Sequence, residues 1–238
     1  DDAIDYFLSG GTRTPNPAAA QTDHAVWLHG TASNESILRV QCAKLIRALS
    51  PTTTHVLEGS RLVDCRNPHA TLMRRHFGEA QLLREYCEAR SDAQGCRTYE
   101  ADELCEAISG LERRIAALPG GAPVLLGFSQ GANLACILAA RAEARAVGAP
   151  QPYQCVVLLN PARPGYMRHA PPGPYRTPVL VIGGGVKDTV VGDGPREVAA
   201  LFEGARIVEH SEGHRPLPSE PSETERVCAA IAQFVRSR

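Results

Sequence analysis

No stretch of about 18 apolar residues runs through the sequence, so no transmembrane helix is expected. Charge of one sign is missing too: 25 Lys and Arg stand against 26 Asp and Glu, a formal net charge of −1. That balance removes any general argument for nucleic acid or membrane surfaces as partners. No CxxC occurs among the eight cysteines, and no Cys/His cluster has zinc-ligand spacing. The opening lacks the charged start and apolar centre of a signal peptide, and it lacks a methionine. A processed chain, or one excised from something longer, is the expectation. Internal repeats and low-complexity blocks are absent as well.

What is present fits one globular domain. The chain has 238 residues, 43% hydrophobic and 21% charged, enough to bury a self-supporting core. Its 18 prolines and 21 glycines suit many short connections rather than a helical bundle. Cys136 in LACILAA and Cys155 at the head of CVVLLN sit in apolar runs. Buried free thiols are expected, and with them a reducing compartment, most simply the cytoplasm.

Residues 1–22 end in GGTRTPNPAAAQT and read as a tail or linker. Beyond them, short apolar runs alternate with segments of helical period. The runs fall at 25–29, 54–58, 123–128, 155–160, 178–183 and 205–210, mostly continuous, as in parallel strands covered on both faces. Helices are predicted at about 35–49, 72–90, 100–118, 130–147, 195–203 and 222–236, the last opened by a Ser222/Glu225 capping box. Strands separated by helices imply an α/β fold, a doubly wound parallel sheet with helices on both faces.

Gly127-Phe128-Ser129-Gln130-Gly131 is a GxSxG. Alone it is weak, since about one chain in ten of this composition would hold one by chance. Its context is stronger: it follows the run PVLLGF and opens the helix QGANLACILAARAEARA, the strand–turn–helix setting of a nucleophile elbow. The serine's strained turn requires small neighbours, here Gly127 and Gly131, while Ala132 and Ala135 let the helix approach the sheet. The helix N-terminus favours an oxyanion beside the serine hydroxyl.

Serine needs a base to become a nucleophile at neutral pH, and in such a fold the acid and then the histidine follow it in the chain. Only His169, His210 and His214 lie downstream. His214, in HSEGHRPLP past the last run, is the expected base; His210 is expected to end the strand, and His169 lies in a proline-rich connection. Asp188, just past PVLVIGGG, is the expected acid, with Asp193 as the alternative. The loop WLHGTASN should supply the second oxyanion donor, making the backbone N–H groups of Thr31 and Gln130 the expected pair. His29 precedes the serine and is expected to be structural, and Ser33 or Asn34 could cap a helix there.

With LHGTASN, GFSQGANLA, GGGVKDTVV and HSEGHRPLP in that order, residues 24–236 resemble the FSH serine hydrolase family. That family includes yeast serine hydrolases, a human ovarian-cancer-associated serine hydrolase and fungal trans-acting polyketide thioesterases. The resemblance implies an α/β-hydrolase fold, cleavage of carboxylic esters or acyl thioesters without a cofactor, and a triad at Ser129, Asp188 and His214. Two departures bear on substrate. His29-Gly30-Thr31-Ala32 replaces the family's His-Gly-aromatic-Gly, and the glycine run before Asp188 is longer by about one residue.

Residues 60–97 form the expected lid or pocket wall within a catalytic domain spanning 23–238. They hold Arg61, Arg66, Arg74, Arg75, Arg84, Arg90 and Arg97 with His69 and His76. An anion-recognising rim for a substrate carboxylate, acyl-CoA or an acyl-carrier protein is one reading. The favoured reading is a solvated helix face, because Asp64, Glu79, Glu85 and Glu88 are interspersed. Leu72, Met73, Phe77, Leu82 and Leu83 would line an acyl pocket or simply pack in the core. A silent ligand-binding protein on the same fold, or an acyltransferase to a non-water acceptor, is the alternative function.

Overall fold

The computed structural model describes residues 24–119, 122–145 and 152–238. The expected tail at 1–22 lies outside them. In chain order the elements begin with β1 (His24–Leu28), α1 (Glu35–Gln41), α2 (Ala43–Ala48) and β2 (Thr53–Val56). A covering region follows: β3 (Arg61–Leu62), α3 (Pro68–Phe77), β4 (Arg84–Glu85), β5 (Ala89–Ser91) and β6 (Arg97–Tyr99). The remainder is α4 (Ala101–Ala116), β7 (Val124–Phe128), α5 (Gln130–Arg145), β8 (Cys155–Leu159), β9 (Val179–Gly183), α6 (Gly194–Ala199), β10 (Arg206–Glu209) and α7 (Pro221–Arg236).

Six strands form one sheet in the order β10-β9-β8-β7-β1-β2, and every pairing is parallel. Alternation along the strands divides the core in two. Val26, Leu28, Leu125, Val156 and Val181 point to one face, beneath Leu104 and Ile108 of α4 and the buried side of α5. Trp27, Leu126, Val157, Leu180 and Ile182 point to the other, beneath Leu38, Leu45, Ile231 and Phe234. Each such aliphatic side chain contributes roughly 1.5–3 kcal/mol by burial, and a one-residue slip would exchange the two faces. The chain runs from β1 out to β2, then crosses back to β7 on the far side of β1. Strand direction of travel therefore reverses between β1 and β7, and ligands bind beyond the carboxyl ends of strands at such a point.

All six predicted strands are present, within a residue or two of their expected ends. Several helices differ from expectation: the one expected at 35–49 is divided at Cys42 into α1 and α2, and the one expected at 195–203 ends at Ala199. The segment 72–90 is not one helix: Asn67 caps α3, Pro68 fills its first turn, and Gly78 at φ 105° ends it. Arg84 then pairs with Leu62 and bridges to Ser33, so tertiary strand partners override local helical period. At the C-terminus, the expected Ser222/Glu225 box is replaced by Glu220, whose carboxylate accepts from the Ser222 and Glu223 N–H groups, with Pro221 starting α7. Asn34 does cap α1, accepting from Ile37 N at 2.9 Å. All eight cysteines are free, five of them buried. No described helix is long and apolar enough to cross a membrane.

Candidate active site

β7 delivers Ser129 at its carboxyl end in a backbone conformation of φ 53°, strained for a residue with a side chain. The two flanking glycines are required by backbone contact. A Cβ on Gly127 would stand 2.3 Å from the Gly131 carbonyl oxygen, and one on Gly131 would stand 2.2 Å from that of Leu28. Helix α5 thus starts against the ends of β1 and β7, and Gln130 through Ala140 are all buried.

The loop after β9 carries Asp188, and the loop after β10 carries His214. His214 Nε2 lies 3.0 Å from Ser129 Oγ, and its Nδ1 lies 2.9 Å from Asp188 Oδ2. Asp188 Oδ1 accepts from the Val190 and Val191 N–H groups at 3.0 and 3.1 Å. Burial pushes the Asp188 pKa up, but the His214 hydrogen bond and charge and these two N–H donors outweigh it, so the net shift is downward. The acid is therefore ionised, and its second oxygen is aimed at the imidazole. Phe128 packs beside His214 with ring centroids 5.2 Å apart.

The alternatives are placed elsewhere. Asp193 precedes α6 without a side-chain cap bond. His210 follows β10, donating its backbone N–H to Gly183, and burial lowers its pKa. His169 ends a 3-10 turn at Gly165–His169. His29 is fully buried: its Nε2 accepts from Gly59 N at 3.0 Å, which leaves Nδ1–H to donate to the Gly30 carbonyl at 2.7 Å. Burial holds its pKa down at about 4, so the ring is neutral.

Ser129, Gln130 and Thr31 share the wall of a cavity of about 790 Å³, with His214 beside them. Thr31 lies on the loop after β1, next to Ala32 at φ 55°. Three side chains that the motif reading passed over hold this arrangement. Gln130 accepts from Tyr86 N at 2.8 Å and donates to the Cys87 carbonyl at 2.7 Å, tying the elbow to the covering region. Asn133 donates to Tyr99 Oη at 2.8 Å and accepts from Ala162 N at 2.9 Å. Asn160, at φ 48° past β8, donates to the Arg215 carbonyl at 2.7 Å, next to His214. The only sequence signal for the first two was their place inside GFSQGANLA, and for Asn160 a polar residue closing an apolar strand.

Helix α3 shows the cavity His69, Leu72, Met73, His76 and Phe77, a single face by helical spacing. Met73 and Phe77 also pack on a small core of Ala32, Ile37, Val63, Ala70 and Leu83, so the lining and packing readings hold together. Leu82 is exposed instead. Of the seven arginines between residues 60 and 97, three are ion-paired, Arg84 with Glu58 at 3.6 Å among them. Arg61 reaches Glu85, Glu88 and Glu103 at 3.1, 3.0 and 2.8 Å, and Arg66 pairs with Asp64 at 2.7 Å. Among the described residues no group of His, Cys, Asp and Glu is placed to hold a metal ion.

Solved structures share this fold. A Bacillus cereus carboxylesterase is 19% identical with a TM-score of 0.58, covering 90% of this chain and 89% of that one. SOBER1 of Arabidopsis thaliana is 14% identical with a TM-score of 0.61, covering 91% and 98%. Acyl-protein thioesterase 2 of Zea mays is 17% identical with a TM-score of 0.60, covering 92% and 96%. At such identities the likeness is one of architecture, the α/β-hydrolase fold. Among curated proteins, none matches the chain in sequence. The family profile described as "Serine hydrolase (FSH1)" matches residues 19–227, and the chain belongs to that serine hydrolase family.

Proposed function

We propose that this hydrolase works through a Ser129–His214–Asp188 triad and cleaves carboxylic esters and acyl thioesters by way of an acyl-enzyme. The observation that carries the reading is the unbroken hydrogen-bond series from Ser129 Oγ through His214 to Asp188, at 3.0 and 2.9 Å, on the wall of the large cavity.

Asp188 holds Nδ1 protonated, so Nε2 presents its lone pair to the serine hydroxyl. Nε2 takes the proton as Oγ attacks the acyl carbon. The carbonyl oxygen becomes an oxyanion, received by the backbone N–H groups of Gln130 and Thr31; support comes from the Gln130 position at the start of α5 and from both residues lining the cavity. When the tetrahedral centre collapses, the bond to the alcohol or thiol breaks and His214 gives that leaving group its proton. Water then enters, His214 takes its proton, and a second collapse frees the acid and restores Ser129. The residues 60–97 form the pocket wall, and acyl-CoA or an acyl-carrier protein would present the acyl group as a thioester. The eight free thiols support a reducing, cytoplasmic setting.

Labelling with a fluorophosphonate probe tests the nucleophile, and a chain-length panel of 4-nitrophenyl esters and acyl-CoAs tests the substrate. Wild type should label and turn over, and Ser129→Ala should do neither. Ordinary activity in Ser129→Ala would overturn the assignment.

A further inference from the structure

Strand β6 carries one charge that the cavity leaves unused. Residues alternate along a strand, so Arg97 and Tyr99 share a side, and both line the cavity while Thr98 between them does not. Tyr99 is anchored by Asn133 of the nucleophile helix at 2.8 Å, and the Arg97 backbone N–H donates to the Arg163 carbonyl at 3.1 Å. Register to the elbow is therefore fixed from two directions.

Six Asp, Glu and Arg residues line this cavity: Arg61, Asp64, Glu85, Glu88, Arg97 and Arg215. Arg61 is matched by Glu85 and Glu88, Asp64 by Arg66, and Arg215 by Glu212 at 3.9 Å. Of these six, Arg97 alone has no ion-pair partner among the described residues. His69, on the cavity face of α3, makes no ring hydrogen bond there either, and partial burial lowers its pKa, with the positive charge of Arg97 adding to the effect. An arginine on a cavity wall with no carboxylate paired to it is a ready receptor for a planar anion.

We propose that Arg97, with His69 beside it, anchors a second negative charge on the substrate: the enzyme takes esters or thioesters bearing a carboxylate or phosphate away from the scissile carbonyl. This rests on the triad reading above. The apolar side chains Leu72, Met73 and Phe77 on α3 would line the carbon chain between the two ends. The anion sits either at the far end of the acyl group or on the leaving group, and the two sources are separable by experiment.

One arm compares 4-nitrophenyl hydrogen adipate, suberate and sebacate with the neutral hexanoate, octanoate and decanoate esters. The other compares short acyl-CoAs with the same acyl groups on N-acetylcysteamine. In one arm the anionic substrate should lead its neutral counterpart by about 10–100-fold in kcat/KM, the range of a charge-assisted bidentate contact. Arg97→Gln should bring that ratio to about one. Arg97→Lys should retain part of it, since the charge stays but the fork is lost. Arg90→Gln, on the adjacent strand and outside the cavity, should keep the wild-type ratio. A measurement without variants stands beside these: added salt should lower kcat/KM for the favoured anionic substrate and shrink the ratio. A wild-type ratio at or below one in both arms, or a ratio unchanged in folded Arg97→Gln, overturns the proposal. Neutral esters turned over without anionic preference sink this inference alone; no labelling of Ser129 and no turnover of any ester sinks the triad reading and this inference with it.

Discussion

Replacing Asp188 by Asn tests the proposed tautomer control, because the surroundings dictate how the new amide must sit. Oδ1 accepts two backbone N–H groups, from Val190 and Val191. The amide oxygen must stay there, which turns the NH2 toward His214. Its Nδ1 then becomes an acceptor, the proton moves to Nε2, and the imidazole presents N–H to Ser129 instead of a lone pair. Flipping the amide would set NH2 against two N–H donors and cost about 2–6 kcal/mol in lost and unsatisfied hydrogen bonds. Even the low figure leaves at most about 3% of molecules in the productive tautomer. The tautomer alone then lowers kcat at least about 30-fold, and losing the negative charge opposite the imidazolium should bring the total to about 10⁴-fold. The assay is kcat for a short 4-nitrophenyl ester at pH 7.5, with thermal melting to establish that the variant folds. Asp193→Asn serves as the matched control. A folded Asp188→Asn enzyme within threefold of wild-type kcat would refute the reasoning.

Three further outcomes follow from the same geometry. His29 is neutral in the folded state, so stability present above pH 6.5 should fall by about 3 kcal/mol as pH drops from 6.5 towards 4, where the unfolded chain binds the extra proton; denaturant titrations should show that slope reduced in His29→Gln. Gly131→Ala forces a methyl to within 2.2 Å of the Leu28 carbonyl oxygen, and should cost about 3 kcal/mol or more by chemical denaturation. Gln130→Leu keeps the backbone N–H but orphans Tyr86 N–H and the Cys87 carbonyl, which should cost about 2–4 kcal/mol in stability and raise hydrogen exchange at Tyr86.

Much of the architecture was legible because continuous apolar runs such as CVVLLN have few alternatives to a buried parallel strand. The elbow was legible for a related reason: Gly127 answers a backbone clash within the motif itself and Gly131 one with the neighbouring strand β1, and both must be met with glycine. The covering region was harder to read. Leu82, Leu83 and Arg84 fall inside the helix predicted at about 72–90, yet the backbone of Arg84 finds its partners at Ser33 and Leu62, roughly twenty to fifty residues away. Strand bridges of that separation leave no local period. Nor did the sequence indicate which of the cavity arginines lacks an ion pair, since Arg61 is engaged by Glu85 and Glu103 from two separate elements. Asn160 was missed likewise, because its contact with Arg215 exists only once two loops meet.

The double tether from Gln130 to Tyr86 and Cys87 bears on the timing of turnover. One residue offers its backbone to the proposed oxyanion and its side chain to the covering region, so swinging that region outward would break both bonds and disturb the helix start in the same motion. Substrate and product are expected to pass through the cavity mouth while the tether holds. Turnover should accordingly be insensitive to solvent viscosity except where diffusion through that mouth is itself the slow event, and the region should behave as a fixed wall rather than a door.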